Sequence, residues 1–372
     1  MAYILMFAIS LFLLWLSSKI KNKAIRVVLT LMSLLLPCVM AALRGLSVGT
    51  DTKGYVLSLY QDARNANSYQ ELVSFSKAVY YSVDHAYLFI NYLVAKCGFS
   101  FPTLLFVIQC LIVLPIFYAI KLNTKNSKGL IIGMLLFYLT FYNLSLNMVR
   151  QSIAIAFVLL GFSLFMNRKE KWSKVLSILL LLIGFGFHDT AIIALPLLVL
   201  YCLFVTKKIN QKTKQAIFII LSIFAILATV FYSPILNFIG SSGIYPKAIM
   251  YMNRFAIMDI NYLGAVRNAI ILFTVFAMRK NISEKDGNAY FPMFLALINL
   301  LFGILSSFIM YIDRIAYYAL FIDLLLYVPY IMTKRKKTDW FSLALILFFI
   351  LQWVIVILIN NSNGTLPYVF YK

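Results

Sequence analysis

Arg44, Arg150 and Arg314 each stand at the end of a long apolar run, and each has polar company. Asp51 and Tyr55 follow Arg44, Gln151 adjoins Arg150, and Asp313 precedes Arg314. A guanidinium grips phosphate through paired N–H bonds and stays charged at any working pH. Arginines recurring in such places point to an anionic ligand, with phosphate or diphosphate first. His188, followed by Asp189, marks a further junction of the same kind. An imidazole with an unperturbed pKa of ~6.5 suits proton transfer near neutral pH. Asp51 is the competing base, set against an Asx-type turn after Gly49. Asp323, about two turns into an apolar run, reads either as functional or as a paired or protonated packing residue.

Other chemistries lack their residues. No G-x-x-x-x-G-K-S/T loop, H-E-x-x-H or D-x-D occurs, and Glu284-Lys285-Asp286 is the nearest acidic approach. Two histidines, His85 and His188, are too few for a His-rich metal site. The four cysteines, Cys38, Cys97, Cys110 and Cys202, stand alone and read as small buried hydrophobes. Neither a metal nor a cofactor is expected.

The elements that must position these residues follow from composition. The chain has 372 residues, 63% hydrophobic and 12% charged, with a mean hydropathy of +0.91. Soluble domains carry about 25% charged residues, so this is a membrane chain. Crossing the bilayer takes about 20 apolar residues. Apolar runs stand at 3–16, 26–43, 101–120, 130–147, 151–166, 175–187, 191–205, 216–238, 262–278, 289–311, 315–332 and 340–359. The expectation is an all-α polytopic membrane protein of about twelve transmembrane helices, forming one membrane domain over residues 1–372. Of the 33 Lys and Arg, 22 fall in the six short loops at 19–26, 121–128, 167–174, 206–214, 279–287 and 333–339. Cytoplasmic loops collect such charge, which leaves both termini outside. It also accounts for the +21 net charge without nucleic acid as a partner. Met1–Leu16 has its basic residues after the apolar run, the reverse of a cleavable signal.

One stretch breaks the pattern. Residues 44–84 form a long polar segment, expected outside, with an amphipathic helix carrying Tyr55, Leu59, Leu72, Phe75 and Val79. The apolar run at 87–97 is too short to span, so residues 85–100 are expected to be re-entrant or interfacial. On this topology Arg44, Asp51, Arg150, His188, Arg254, Asp313 and Arg314 all face outward.

The ordered motifs resemble those of EpsG-like and Wzy-type polysaccharide polymerases. Arg44 with Val48-Gly49-Thr50-Asp51-Thr52 and Tyr55 is similar to an R…G-T-D-x-x-Y signature. Asn147-Met148-Val149-Arg150-Gln151 resembles N-x-x-R-Q, and Phe187-His188-Asp189-Thr190-Ala191 resembles F-H-x-S/T-A. Asp313-Arg314-Ile315-Ala316-Tyr317-Tyr318 resembles a late R-x-x-x-Y segment. Asp189 departs from the pattern, which has an uncharged residue there.

The resemblance implies a membrane glycosyltransferase, GT-C-like in a broad sense. It would join oligosaccharide repeat units carried on undecaprenyl diphosphate at the outer face of the bacterial cytoplasmic membrane. Exopolysaccharide, capsule and O-antigen are the products it implies. Its implied partners are the lipid-linked oligosaccharide, membrane lipid, a chain-length regulator and other polysaccharide-assembly proteins. Arg150 and Arg314 are assigned to diphosphate, and Arg44 to a third contact or an organising role. Gln151, Asp313, Tyr55 and Arg254 complete the substrate-binding set, with His188 or Asp51 as base. Asp189, if it follows His188 on a helix, points about 100° away from it. A flippase for the same lipid-linked sugars would also suit many spans, but transporters place their charges near mid-membrane. A membrane acyltransferase would also use a histidine.

The topology makes a direct prediction. A cysteine at Lys208 should be shielded from an impermeant thiol reagent in whole cells, and one at Asn253 should react. Cysteines at Ser82 and Ser100 should both label from outside; labelling from opposite sides would turn 85–100 into a true crossing.

Overall fold

The computed structural model describes residues 1–80, 84–124, 126–242, 262–309, 312–334 and 340–371. Among the described residues the only strand-like pairing is an isolated antiparallel bridge between Arg44 and Phe370. The chain divides into two compact units, Met1–Ile192 with Arg335–Lys372, and Ile193–Lys334.

The first unit opens with α1 (Ala2–Lys19) and α2 (Lys23–Ala42), an antiparallel pair. After a turn come a π-helical stretch at Thr52–Val56, α3 (Leu57–Asn65), α4 (Tyr69–Tyr80) and α5 (His85–Lys96). Then follow α6 (Phe101–Asn123), α7 (Ser127–Phe137), a π-helical Tyr138–Tyr142 and the single turn α8 (Asn143–Asn147). The hairpin of α9 (Val149–Asn167) and α10 (Lys171–Phe187) completes the main bundle. After residue 334 the chain returns to this unit as α19 (Trp340–Trp353), which ends in a π-helical Val354–Ile359 and a tail.

Local chemistry sets the helix starts. Asn22 caps α2 by accepting from the backbone N–H groups of Ala24 and Ile25, and Asn126 caps α7 through Gly129. Asparagine before a helix satisfies amides that have no intrahelical acceptor. The centre of the unit is α9, packed on α10 and α6. A Cβ on Gly161 of α9 would lie 2.9 Å from the Ser177 carbonyl of α10, and one on Gly184 of α10 would lie 3.1 Å from the Ala154 carbonyl. In lipid, where apolar contact gives little preference for a neighbour, small residues and polar links hold helices together. Ser10 and Ser33 provide such a link, each hydroxyl donating to the other's backbone carbonyl at 2.8 Å.

The tail is fastened across the end of this unit. Asn361, at φ 44°, accepts from the N–H groups of Thr365 and Leu366, both at 2.9 Å. Thr365 Oγ1 accepts from Asn143 at 3.0 Å, and Asn143 Oδ1 accepts from Trp353 Nε1 at 3.0 Å. Tyr3 donates to the Thr365 carbonyl at 3.0 Å, and Gly45 donates to the Val369 carbonyl at 2.7 Å.

The second unit holds α11 (Ala194–Val205), α12 (Gln211–Val230) and α13 (Tyr232–Ser241). It continues with α14 (Tyr262–Ala277), α15 (Arg279–Asp286), α16 (Tyr290–Leu305), α17 (Ile312–Ile322), a π-helical Asp323–Tyr327 and α18 (Val328–Lys334). Here α16 is the central helix, packed on α12, α14 and α17.

The chain is therefore an all-helical polytopic membrane protein. Eight described helices are long and apolar enough to cross a bilayer, or nine if α14 and α15, bent by 66°, form one broken span. A helix stands at each of the twelve apolar runs, but α10, 189–205 and α16 are shorter than a full span. The amphipathic helix expected within 44–84 is divided into α3 and α4, with Leu59 and Leu72 buried and Phe75 and Val79 exposed. The cysteine expectation holds for Cys38, whereas Cys97 and Cys202 are exposed.

Replacing Thr365 by valine keeps its volume and strands the buried Asn143 amide. Leaving such a group unsatisfied costs about 1–3 kcal/mol. A Thr365→Val protein should show a lower unfolding midpoint in detergent; an unchanged midpoint would mean that the tail contributes little.

Candidate active site

The site in the first unit is built on a turn. Past α2, Arg44 is fully buried; its Nη1 donates to the Ala41 carbonyl at 3.1 Å and its Nε to Thr52 Oγ1 at 3.2 Å. Nη2 has no hydrogen-bond partner among the described residues. The side chain lies within electrostatic range of Tyr3, Tyr87, Tyr142 and Tyr368.

Gly49 follows, at φ 80°. A Cβ there would lie 2.2 Å from the Leu146 carbonyl oxygen, and its own N–H donates to the Gly364 carbonyl at 2.8 Å. The position thus requires glycine for both backbone angle and space. The close approach brings Thr50 to Asn147: both the backbone N–H, at 3.1 Å, and the hydroxyl of Thr50 donate to Asn147 Oδ1. Asp51 Oδ2 accepts from the Val149 N–H at 3.3 Å and from the Tyr55 hydroxyl at 2.8 Å. Val149 begins α9, so the carboxylate sits where the unpaired amides and positive end of the helix favour it.

Arg150 is the next residue. Its guanidinium lies 4.6 Å from the centre of the Tyr55 ring, a cation–π contact, and its Nη1 bonds Asp84 Oδ2 at 2.5 Å. Gln151 is buried behind it. Burial pushes the Asp84 carboxyl above its ordinary range; Arg150 pulls it back only in part, while Asp189 adds to the rise. Asp84, which immediately precedes α5, is the only acid between Glu71 and Glu170. Its 66-residue separation from Arg150 hides the pair from any reading of local spacing.

His188 ends α10 in extended backbone, at φ −161°. Its Nδ1 lies 2.7 Å from the Thr190 hydroxyl, 3.3 Å from the Thr190 N–H and 3.2 Å from Asp189 Oδ1. The helix ends at Phe187, so the two residues are not successive helical positions and Asp189 reaches the ring. Thr190 and the Asp189 carboxylate thus both hold the ring at its Nδ1 edge.

In the second unit Asp313 accepts from the Tyr317 hydroxyl at 2.8 Å. Arg267 on α14 lies within electrostatic range of both, and Arg314 within range of Tyr317. The order of Asp and Tyr four residues apart beside an arginine matches Asp51, Tyr55 and Arg150. Asp323 is fully buried, and neither of its oxygens has a partner among the described residues. Arg254 lies outside the described residues. No metal-binding group of three or more His, Cys, Asp or Glu occurs among the described residues.

Sequence reasoning left Asp84 and Tyr87 without roles and did not use the tail. The signal for Asp84 was its place as a lone acid before a short apolar helix.

Gly49→Ala should cost at least about 1–3 kcal/mol, the range for a residue forced into a sparsely populated backbone region, with the Leu146 clash added. A lowered melting midpoint together with lost activity is expected. A variant with normal stability would show that the turn can move away from α8.

No curated protein and no solved structure matches the chain significantly. The EpsG family model matches residues 26–370, from the first basic loop to the fastened tail. The chain belongs to the EpsG family, the Wzy-type polysaccharide polymerases, and is a membrane glycosyltransferase.

Proposed function

We propose that this polymerase joins oligosaccharide repeat units carried on undecaprenyl diphosphate at the outer face of the bacterial cytoplasmic membrane. The supporting observation is the family match over nearly the whole chain. The growing chain passes from its lipid diphosphate to a hydroxyl of an incoming lipid-linked unit. The hydroxyl oxygen bonds to the anomeric carbon, and the lipid diphosphate departs with the electron pair of the broken C–O bond. Donors already in place in a poorly hydrated site stabilise the charge that develops on it.

Arg150 and Arg314 are read as diphosphate-binding residues, each within its own unit, with Gln151, Asp313 and Arg254 as further polar contacts. Arg44, buried and bonded to Ala41 and Thr52, takes the organising role. Asp51, engaged by Tyr55 and Val149, is read as holding Arg150 in place. His188, with Nδ1 against Thr190 and Asp189, is read as positioning the acceptor. Both termini and residues 44–84 are taken to be extracytoplasmic, 85–100 to be re-entrant or interfacial, and the chain to cross about twelve times in a GT-C-like arrangement. A chain-length regulator and other assembly proteins are the proposed protein partners.

Deleting the protein should leave single lipid-linked repeat units in place of polymer. Unchanged polymer would remove this function. Arg150→Lys keeps the charge and loses the fork. A hydrogen bond to a charged group is worth ~1.5–3 kcal/mol, so polymer formation should fall about ten- to a hundred-fold at normal protein level. A near-normal yield would mean that Arg150 only balances Asp84.

A further inference from the structure

A cavity of about 110 Å³ opens beside the Arg150–Asp84 pair, lined by both residues together with Tyr55, Tyr87, Ser76 and Leu88. Among the described residues Asp84 is the only carboxylate on its wall. A single water needs about 10–15 Å³ of such space, so the cavity admits several waters or a hydroxyl-bearing edge of a sugar but not a whole oligosaccharide. Its walls combine two tyrosines, two leucines (Leu59 and Leu88) and Ser76 with one ion pair. Saccharides present apolar C–H faces and hydroxyl edges, and such a wall fits both.

We propose that this cavity seats the attacking hydroxyl of the acceptor sugar and that Asp84 is the catalytic residue that takes its proton. The inference rests on the polymerase reading above. As the acceptor oxygen bonds to the anomeric carbon, its proton passes to Asp84, and the bond from that carbon to the diphosphate breaks.

Three features support Asp84 over the other acids. Asp51 is bonded to Tyr55 and to the Val149 amide, and the Asp189 side chain is 83% exposed. Asp84 is 12% exposed, and Arg150 fixes its direction. Among the described residues, the charged and titratable groups around it are Arg150 from α9, Asp189 beyond α10, His85 and Tyr87 on α5, and Tyr55 across the cavity. Burial outweighs the arginine and raises the carboxyl, which brings its basicity nearer to working pH. The same guanidinium, with donors on several edges, can bridge the base and a phosphate.

The test uses membranes containing the full-length chain, supplied with the lipid-linked repeat units of the producing cell. General-base catalysis is worth ~10²–10⁴-fold. Asp84→Asn should lose that much polymerisation while protein level and melting midpoint hold. Wild-type rate should fall on acidification as Asp84 protonates, and the residual rate of the Asn variant should lack this limb. Asp84→Glu should retain measurable activity with a displaced acidic limb. The exchange Asp84→Arg with Arg150→Asp restores an ion pair and should stay inactive. Activity in the exchange variant, or an unchanged acidic limb in Asp84→Asn, would overturn the proposal and leave Asp84 a structural counter-ion. Loss of both activity and melting midpoint in the Asn and Glu variants alike would also assign it a structural role. The polymerase reading fails separately, if the wild-type membranes make no polymer from these units.

Discussion

The close approach of Gly49 to the Leu146 carbonyl is the constraint on which the first unit's site depends. With no Cβ in the way, the turn after α2 settles on the end of α8. Thr50 then reaches Asn147, and Asp51 reaches the first amide of α9. Met148, at φ −103° and ψ 66°, breaks the helix between these two contacts. A broken helix exposes carbonyls on one side and amides on the other. The turn supplies an acceptor for an amide, and the side chain at Asn147 supplies one for the turn. Arg150 inherits its position from this exchange, one residue past the capped amide.

Arg44 gives the turn its anchor at a real electrostatic cost. Removing a charge from water is expensive by several kcal/mol even after relaxation. Two of its nitrogens are bonded to carbonyl and hydroxyl oxygens, and four tyrosines lie within electrostatic range. This arrangement offsets only part of the cost. A buried arginine bonded to its own turn acts through the shape it imposes. The bridge from Arg44 to Phe370 and the bond from Gly49 to Gly364 extend that shape to the tail, so residues more than 300 positions apart define one surface.

Much of this was legible as residue types, less as contacts. The glycine, the asparagine and the arginine–glutamine pair stand out because turn, cap and phosphate chemistry need those types. Helices were legible from apolar runs. Span number was less so, because short runs such as 175–187 say little about where a helix enters lipid. The tail carried no signal, since its bonds to Asn143 and Tyr3 cross 222 and 362 residues of sequence. Asp84 escaped for the same reason. The pairing of Asp189 with His188 depends on where α10 stops, and helix ends are the least certain feature of a sequence.

The two units answer the same electrostatic problem with the same local device. An arginine in a poorly hydrated site attracts any nearby carboxylate, and each such pair takes up donors that an anionic substrate could use. In each unit a tyrosine four residues after an aspartate donates its hydroxyl to that carboxylate at 2.8 Å. Residues so spaced meet on one helix face, so the bond forms without help from the tertiary fold. It satisfies the acid from its own helix and holds the carboxylate off the guanidinium. In the first unit the ring of that same tyrosine then lies against Arg150, an attraction that neutralises no charge. Asp84 is the exception that pairs directly with Arg150, and it is the acid on the cavity wall.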